Sequence, residues 1–271
     1  SSLDKLRQVE ATARAMGRKA TIHLKIDTGM ERIGVHSYSA GPFIEAAAAS
    51  TWCILKGIYS HLACADDPAS PMTALQLERF NQACAHFERI GAPMPLRHLA
   101  NSGGVLHFPE TWLDIVRPGI ALYGVLPDPA SQPTIPLRPA LSLVSRVVFF
   151  KVVKAGNPVS YGATWASAVD TRVVTVPVGY GDGYPRALSS RGQVLLHGQP
   201  HPLVGRVCMD QFMVDIGPEG SAYNEDEVVL IGGQGEAAIS TEALAQCAGT
   251  IPYEILTGLN ERIPREYIGG A

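Results

Sequence analysis

Leu3, Leu6, Val9, Ala13 and Met16 recur at helical spacing, and Gly17 followed by Arg18 and Lys19 makes a stop. From residue 20 to about 125 the pattern alternates between strand-like and helix-like runs. Thr21–Ile26, Trp52–Tyr59, Arg97–Leu99 and Ile115–Val116 predict short strands. Pro42–Ala49 and Met72–Ile90 predict helices, the second with Leu77, Phe80, Cys84 and Phe87 on one face, and Ser102–Leu106 predicts a short helix start. Such alternation implies a parallel sheet with outer helices.

Polar residues collect just after each strand: Asp27 to Arg32, Ser60-His61, Asn101-Ser102 and Arg117. In a (β/α)₈ barrel that end is the active-site rim. A complete barrel needs roughly 250 residues and eight strands, and only about half that precedes the change of pattern. Either the sheet is open or its first strands are absent. The chain also opens directly on a helix without an initiator Met, which reads as a cut.

Past the Pro-rich stretch Pro127–Pro139, short β-branched runs are separated by Gly- and Pro-containing turns. Leu141–Val153, Val173–Val178, Gln193–His197, Leu203–Cys208, Gln211–Ile216 and Glu227–Ile231 predict an antiparallel second domain. A last helix runs over Ser240–Cys247 with Ser240 as its N-cap. The expected division is residues 1–135 as α/β barrel and 136–271 as β-rich domain.

The chain has 271 residues, 46% apolar, with a net charge of -3, ample for a large core. No basic block points to nucleic acid or an anionic membrane, and no apolar run approaches the ~18 residues of a membrane span. Five cysteines without a Cys-x-x-Cys pair indicate neither a disulfide framework nor a zinc site, so a reducing cytoplasm is expected and no metal.

Arg117 stands at the end of an apolar run before a Pro-Gly turn. A guanidinium there needs a partner, either a carboxylate such as Asp114 or an anionic ligand seated on the free amides of Gly119 and Ile120. Lys25 to Gly34 reads either as a surface turn with an Asp27–Arg32 ion pair or as a loop holding Arg32 as a carboxylate clamp. His61 reads as a satisfied core histidine or a site group, and Ser102-Gly-Gly as a tight turn or a phosphate cup. Tyr161, flanked by Gly162, is ordinary surface unless nearby cations lower its pKa of ~10. Tyr180 in the Gly179–Pro185 loop, Met209-Asp210 between two strands, and Tyr253 complete the candidates.

Lys25-Ile-Asp-Thr-Gly-Met, Arg32-Ile-Gly, Tyr-Ser-His61, His-Leu-Ala-Asn-Ser102, Val-Arg117-Pro-Gly-Ile, Val-Ser-Tyr161-Gly-Ala-Thr, Gly-Tyr180-Gly-Asp-Gly-Tyr-Pro-Arg, Cys-Met209-Asp210-Gln and Tyr253-Glu follow one another along the chain. Together they closely resemble the motifs of the bacterial alanine racemase family, in that family's order, over residues 21 to 267. The resemblance implies an α/β TIM-type barrel that binds pyridoxal 5'-phosphate, then a mostly antiparallel β domain. It further implies a homodimer with shared sites, interconverting L- and D-alanine for cell-wall peptidoglycan by two-base α-proton transfer.

The same resemblance assigns roles. Arg117 hydrogen-bonds the pyridine nitrogen; Ser102, Gly119, Ile120 and Tyr253 hold the phosphate. His61 lies against the pyridine ring and links Arg117 to Tyr161, the base supplied by the partner subunit. Arg32, Met209 through its amide, and Tyr180 surround the substrate carboxylate, with Asp210 close by. Lys25 matches a lysine that some members carry as a carbamate.

One departure stands out. The family's cofactor lysine lies in a Val-Lys-Ala-Asn-Ala-Tyr-Gly motif, which this chain lacks. Its six lysines, Lys5, Lys19, Lys25, Lys56, Lys151 and Lys154, fall elsewhere. The expectation is that on the order of 100 barrel residues are absent, that the missing piece is present as a separate packed chain, and that this chain alone is inactive. A broad-specificity amino-acid racemase and a truncated product that only binds cofactor or a partner are the alternatives. A related barrel decarboxylase would place a carboxylate at the pyridine nitrogen, where Arg117 stands.

Overall fold

Ser2 caps the first helix, α1 (Leu3–Ala15), its Oγ accepting the Lys5 N–H at 3.2 Å, and Gly17 turns the chain out of the helix at φ 62°. The computed structural model describes residues 1–128 and 135–269, so linker residues 129–134 lie outside the described residues. Two compact units emerge, one built on Ser1–Leu122 and one on 123–128 with 137–269.

In the first unit α1 leads into β1 (Ala20–Asp27), β2 (Val35–His36), α2 (Gly41–Ala48), β3 (Cys53–Tyr59), α3 (Met72–Arg89), β4 (Leu96–His98) and α4 (Ser102–His107). The strands form one parallel sheet in the order β2-β1-β3-β4. Leu24, Ile26 and Ile58 from the sheet meet Phe43, Ile44, Phe80 and Phe87 from the helices in one core. Each such side chain contributes about 1.5–3 kcal/mol when fully buried. The predicted face of α3 is the one that packs, with Phe80, Cys84 and Phe87 buried and Leu77 against the core margin.

The expected buried strand at Ile115–Val116 does not form. Ile115 makes one parallel bridge, to His98, and Val116 is 39% exposed. Arg117 then turns its N–H onto the Ala100 carbonyl at 3.0 Å, and Pro118 has no N–H to extend a ladder.

The second unit carries β5 (Leu143–Arg146), β6 (Phe149–Val153), β7 (Pro158–Val159), β8 (Trp165–Ala166), β9 (Thr171–Val176), β10 (Gln193–Leu196), β11 (Gln199–Val204), β12 (Phe212–Gly217), β13 (Glu227–Gln234), β14 (Ala237–Ile239), α5 (Thr241–Ala248) and α6 (Pro252–Gly258). Its main sheet is antiparallel, ordered β14-β13-β10-β11-β12-β9-β6, with β5 on β13, while β7 and β8 pair with each other. Tyr184 stacks on Phe212 at a centroid distance of 5.3 Å within a core that includes Leu188, Val214 and Leu230.

Two expected runs differ. Leu141–Val153 is two strands, because the chain changes partner at Val147-Val148: the Val147 N–H goes to Asp226 and the Val148 N–H to Thr175. The run expected at Leu203–Cys208 starts earlier, at Gln199, and ends before Gly205, whose φ of 71° bends the chain away. Pro200 and Pro202 are tolerated there because β12 pairs only with Leu203 and Val204, leaving their missing N–H groups unneeded. Ser240 caps α5 as expected, accepting the Ala243 N–H at 3.1 Å.

Candidate active site

Parallel strands deliver their C-terminal ends to one side of a sheet, and here those ends bring Lys25, Tyr59, His98 and Arg117 together. Arg117 is held by three bonds: Nη1 donates to His98 Nδ1 at 2.8 Å, and Nη2 donates to the carbonyls of Ser60 at 2.7 Å and Leu99 at 3.2 Å. A guanidinium has about five N–H donors, so about two remain for a ligand. Asp114 is not its partner; that carboxylate pairs with Arg97 at 3.1 Å.

Tyr59 is the floor of the cluster. Its ring stacks on His98 at 4.8 Å with planes 3° apart, while Lys25 Nζ and Arg117 Cζ stand 5.2 and 5.3 Å from its centroid. Aromatic faces attract cations, which offsets part of the repulsion between these two. The rest appears as displaced titration. Burial, opposed by Asp27 and helped by Arg117 and Arg32, lowers the Lys25 amine to about 8. Burial, then Arg117, lowers both His61 and His98 to about 4, so both are neutral at neutral pH.

Helix α3 fixes the loops that follow β1 and β3. Gln76, fully buried, donates to Thr28 Oγ1 and the His61 carbonyl and accepts the Ala63 N–H at 2.8 Å; Arg79 donates to the Thr28 carbonyl. Thr28 and Ser60 hydroxyls meet at 2.8 Å. Asp27 forms no surface ion pair with Arg32. It is buried and accepts the Gly29 and Glu31 N–H groups; burial raises its pKa, but those amides and Lys25 outweigh it and the net shift is downward. Arg32 itself is exposed.

Asn101 caps α4 by accepting the Gly104 N–H at 3.0 Å, which sets Ser102 at the first helical position. Ser102 Oγ accepts the N–H groups of Gly119 at 2.9 Å and Ala121 at 3.2 Å. Gly119 is open: a Cβ there would find nothing nearer than Ser102 Oγ at 4.0 Å. Ile120 beside it is buried.

The second unit holds the other candidates. Tyr161 is 71% exposed and follows Ser160, whose φ of 68° and ψ of -179° lie in a region that is essentially glycine-only. Ser160 is kept there by its Oγ, which donates to the Arg206 carbonyl at 2.8 Å. Tyr161, Gly162, Ala163 and Cys208 line an open groove. The Tyr180 N–H donates to Cys208 and the Gly181 N–H to Met209, so the loop carrying Tyr180 is knitted to the turn carrying Met209 and Asp210. Tyr180, Met209, Asp210 and Tyr253 are all exposed.

The imidazole bonded to Arg117 in this chain is His98, while His61 meets Gln76 through its carbonyl. His98, Tyr59, His23 and Gln76 were missed as site residues. Alternation in β1 puts His23 and Lys25 on one face, as it does Gly57 and Tyr59 in β3, and that was the available signal. Among the described residues no group of three His, Cys, Asp or Glu side chains could hold a metal ion, and no helix is long and apolar enough to cross a membrane. All five cysteines are free.

Comparison with known proteins gives a consistent result. The sequence model "Alanine racemase, N-terminal domain" matches residues 1–127, and "Alanine racemase, C-terminal domain" matches residues 140–267. An alanine racemase of Desulforamulus reducens is 42% identical over 268 residues, covering 98% of this chain and 72% of the relative. The crystal structure of alanine racemase from D-cycloserine-producing Streptomyces lavendulae superposes with a TM-score of 0.94 at 41% identity, covering 100% of this chain and 72% of that one. That from Bartonella henselae, with covalently bound pyridoxal phosphate, superposes with a TM-score of 0.87 at 30% identity, covering 99% of this chain and 72% of that one. The fold is that of these relatives, a TIM-type (β/α)₈ barrel with a β domain, of which the described residues carry four parallel barrel strands and the mostly antiparallel β domain. The expectation of a separate companion chain finds no support in these matches.

Proposed function

The chain belongs to the alanine racemase family, and on that premise we propose that it binds pyridoxal 5'-phosphate and alanine at the strand ends of its first unit and serves the interconversion of L- and D-alanine. The observation that carries this reading is Arg117, locked by three hydrogen bonds with donors to spare, beside the Ser102–Gly119 contact.

These residues fit the cofactor's non-covalent half. Arg117 stays protonated at working pH and has no acceptor, so it would select an unprotonated ring nitrogen. The Ser102 hydroxyl, the Ile120 amide and the Tyr253 hydroxyl would hold the phosphate, while Gly119, its own N–H spent on Ser102, leaves the space for it. His61, neutral and partly buried, would lie against the ring. None of the six lysines stands in the family's anchor motif. When bound, the cofactor supplies a sink for the electron pair left by the α-proton.

Arg32 of one subunit, with the Met209 amide and Tyr180 of another, would take the substrate carboxylate, Asp210 lying near it. Tyr161 would remove the α-proton of L-alanine. A phenol does so only beside cations, so this reading places Tyr161 of one subunit at the Arg117 cluster of another, in a homodimer. Lys25, with its pKa near 8, is neutral often enough to take up carbon dioxide as a carbamate, replacing a cation by an anion that orients Arg32.

The test is exchange at Cα. L-alanine and pyridoxal phosphate are incubated with the protein in heavy water and followed by NMR. Protein-dependent exchange that falls by about 10²-fold or more in Tyr161→Phe supports the reading. Exchange no faster than with cofactor alone overturns it and leaves the inactive product that the lack of an anchor-motif lysine predicts.

A further inference from the structure

Beyond Arg117 the line of hydrogen bonds continues. Arg117 Nη1 lies 2.8 Å from His98 Nδ1, and His98 Nε2 lies 2.7 Å from His23 Nδ1. A guanidinium offers N–H groups and no acceptor, so His98 Nδ1 must accept. A neutral imidazole carries one N–H. That proton therefore sits on His98 Nε2 and is donated to His23 Nδ1, which leaves the proton of His23 on its own Nε2. Every donor points the same way, from Arg117 toward His23.

The contact is built into the sheet. β1 and β4 do not pair; β3 lies between them, so His23 must reach across a strand. The register shift between Ile22 and His23 sets His23 opposite Gly57. A Cβ on Gly57 would stand 2.3 Å from His23 Nδ1 and 2.5 Å from Cε1, so only glycine leaves the crossing open. Tyr59, stacked on His98, fixes the plane in which both of its nitrogens point. His98 is neutral at neutral pH, so its tautomer is a defined quantity there.

We propose that His23 is a positioning residue for Arg117: as the acceptor at the end of this line it holds His98 in the Nε2–H tautomer, keeping the Nδ1 lone pair on the guanidinium. The inference rests on the reading of Arg117 as the donor to the cofactor's ring nitrogen, and deepens it. With the other tautomer, two donors would face each other at the Arg117–His98 contact. Arg117 would then be left on the Ser60 and Leu99 carbonyls alone, free to swing about them.

The experiment reads the imidazoles directly, in ¹⁵N-labelled protein without cofactor or alanine. Two-bond ¹H–¹⁵N correlations distinguish the tautomers of His98. The wild type and His23→Gln, whose amide oxygen can accept, are expected to show the Nε2–H form alone. His23→Leu, and Gly57→Ala, which displaces the ring without touching any residue assigned to the reaction, are expected to lose that single pattern. His23 is exposed, so its substitution leaves the core intact. If both substitutions leave His98 as in the wild type, the proposal is overturned. Pyridoxal phosphate affinity is expected to fall by about tenfold in His23→Leu and to recover in His23→Gln. A wild type that binds no pyridoxal phosphate would count against the functional reading, while the ring spectra still decide the role of His23.

Discussion

The side-chain amide of Gln76 donates to the main-chain carbonyl of His61 at 2.9 Å, so an imidazole at the end of β3 is held from a helix rather than from its own strand. The same group gives its other N–H to Thr28 at the end of β1. One fully buried residue on α3 thereby sets the spacing of two site loops.

Gln76→Leu should expose that dependence. It keeps the volume but leaves the Ala63 N–H and the His61 carbonyl without partners, at about 1–3 kcal/mol for each buried unsatisfied group. A total loss of about 2–4 kcal/mol is expected, seen as a lower urea midpoint with an unchanged m-value.

Arg117→Lys keeps the charge and discards the fork. An ammonium cannot serve His98, two carbonyls and a ligand from one nitrogen with three protons. Protein-dependent exchange at Cα is expected to fall by about 10²-fold or more, while the far-ultraviolet circular dichroism spectrum is unchanged.

Acid should destabilise the first unit through its imidazoles. His61 and His98 have folded pKa values of about 4, below the 6.5 of an unfolded chain. Between those values the unfolded state binds more protons, so stability falls as pH drops from 6.5 to 4 and gains no further slope from these groups below that. Unfolding curves taken across the window should flatten in His61→Gln and in His98→Gln.

Ser160→Gly should trade order for stability. Relief of a φ of 68° is worth about 1–3 kcal/mol, against about 1 kcal/mol for the lost bond to Arg206. A small rise in Tm is expected, together with slower exchange at Cα because the neighbouring Tyr161 is less fixed.

Much of this was legible in the chain. The helices over Leu3–Ala15 and Met72–Arg89 follow their apolar spacing, and β1, β3 and β4 end where polar residues begin. The Arg117 partner was not. Asp114 is nearer in sequence, but the sheet brings up His98 and two carbonyls instead. Likewise His23 and His98 are separated by 75 positions and one intervening strand, so their contact depends on a register and a glycine that periodicity does not encode. Ser160 was hidden for a different reason: nothing in its chemistry announces a glycine-like backbone.

Ser102 gives the phosphate end of the site a direction. Its oxygen already receives two amides, from Gly119 and Ala121, and a hydroxyl has only about two lone pairs. What is left to an incoming molecule is the hydroxyl proton alone. Such a position is a one-way valve for polarity: it greets an oxyanion and has nothing to give an ammonium group. Of the two ends of a zwitterionic amino acid, then, only the acid end would find a welcome there, and a phosphate would hold the position against it by charge.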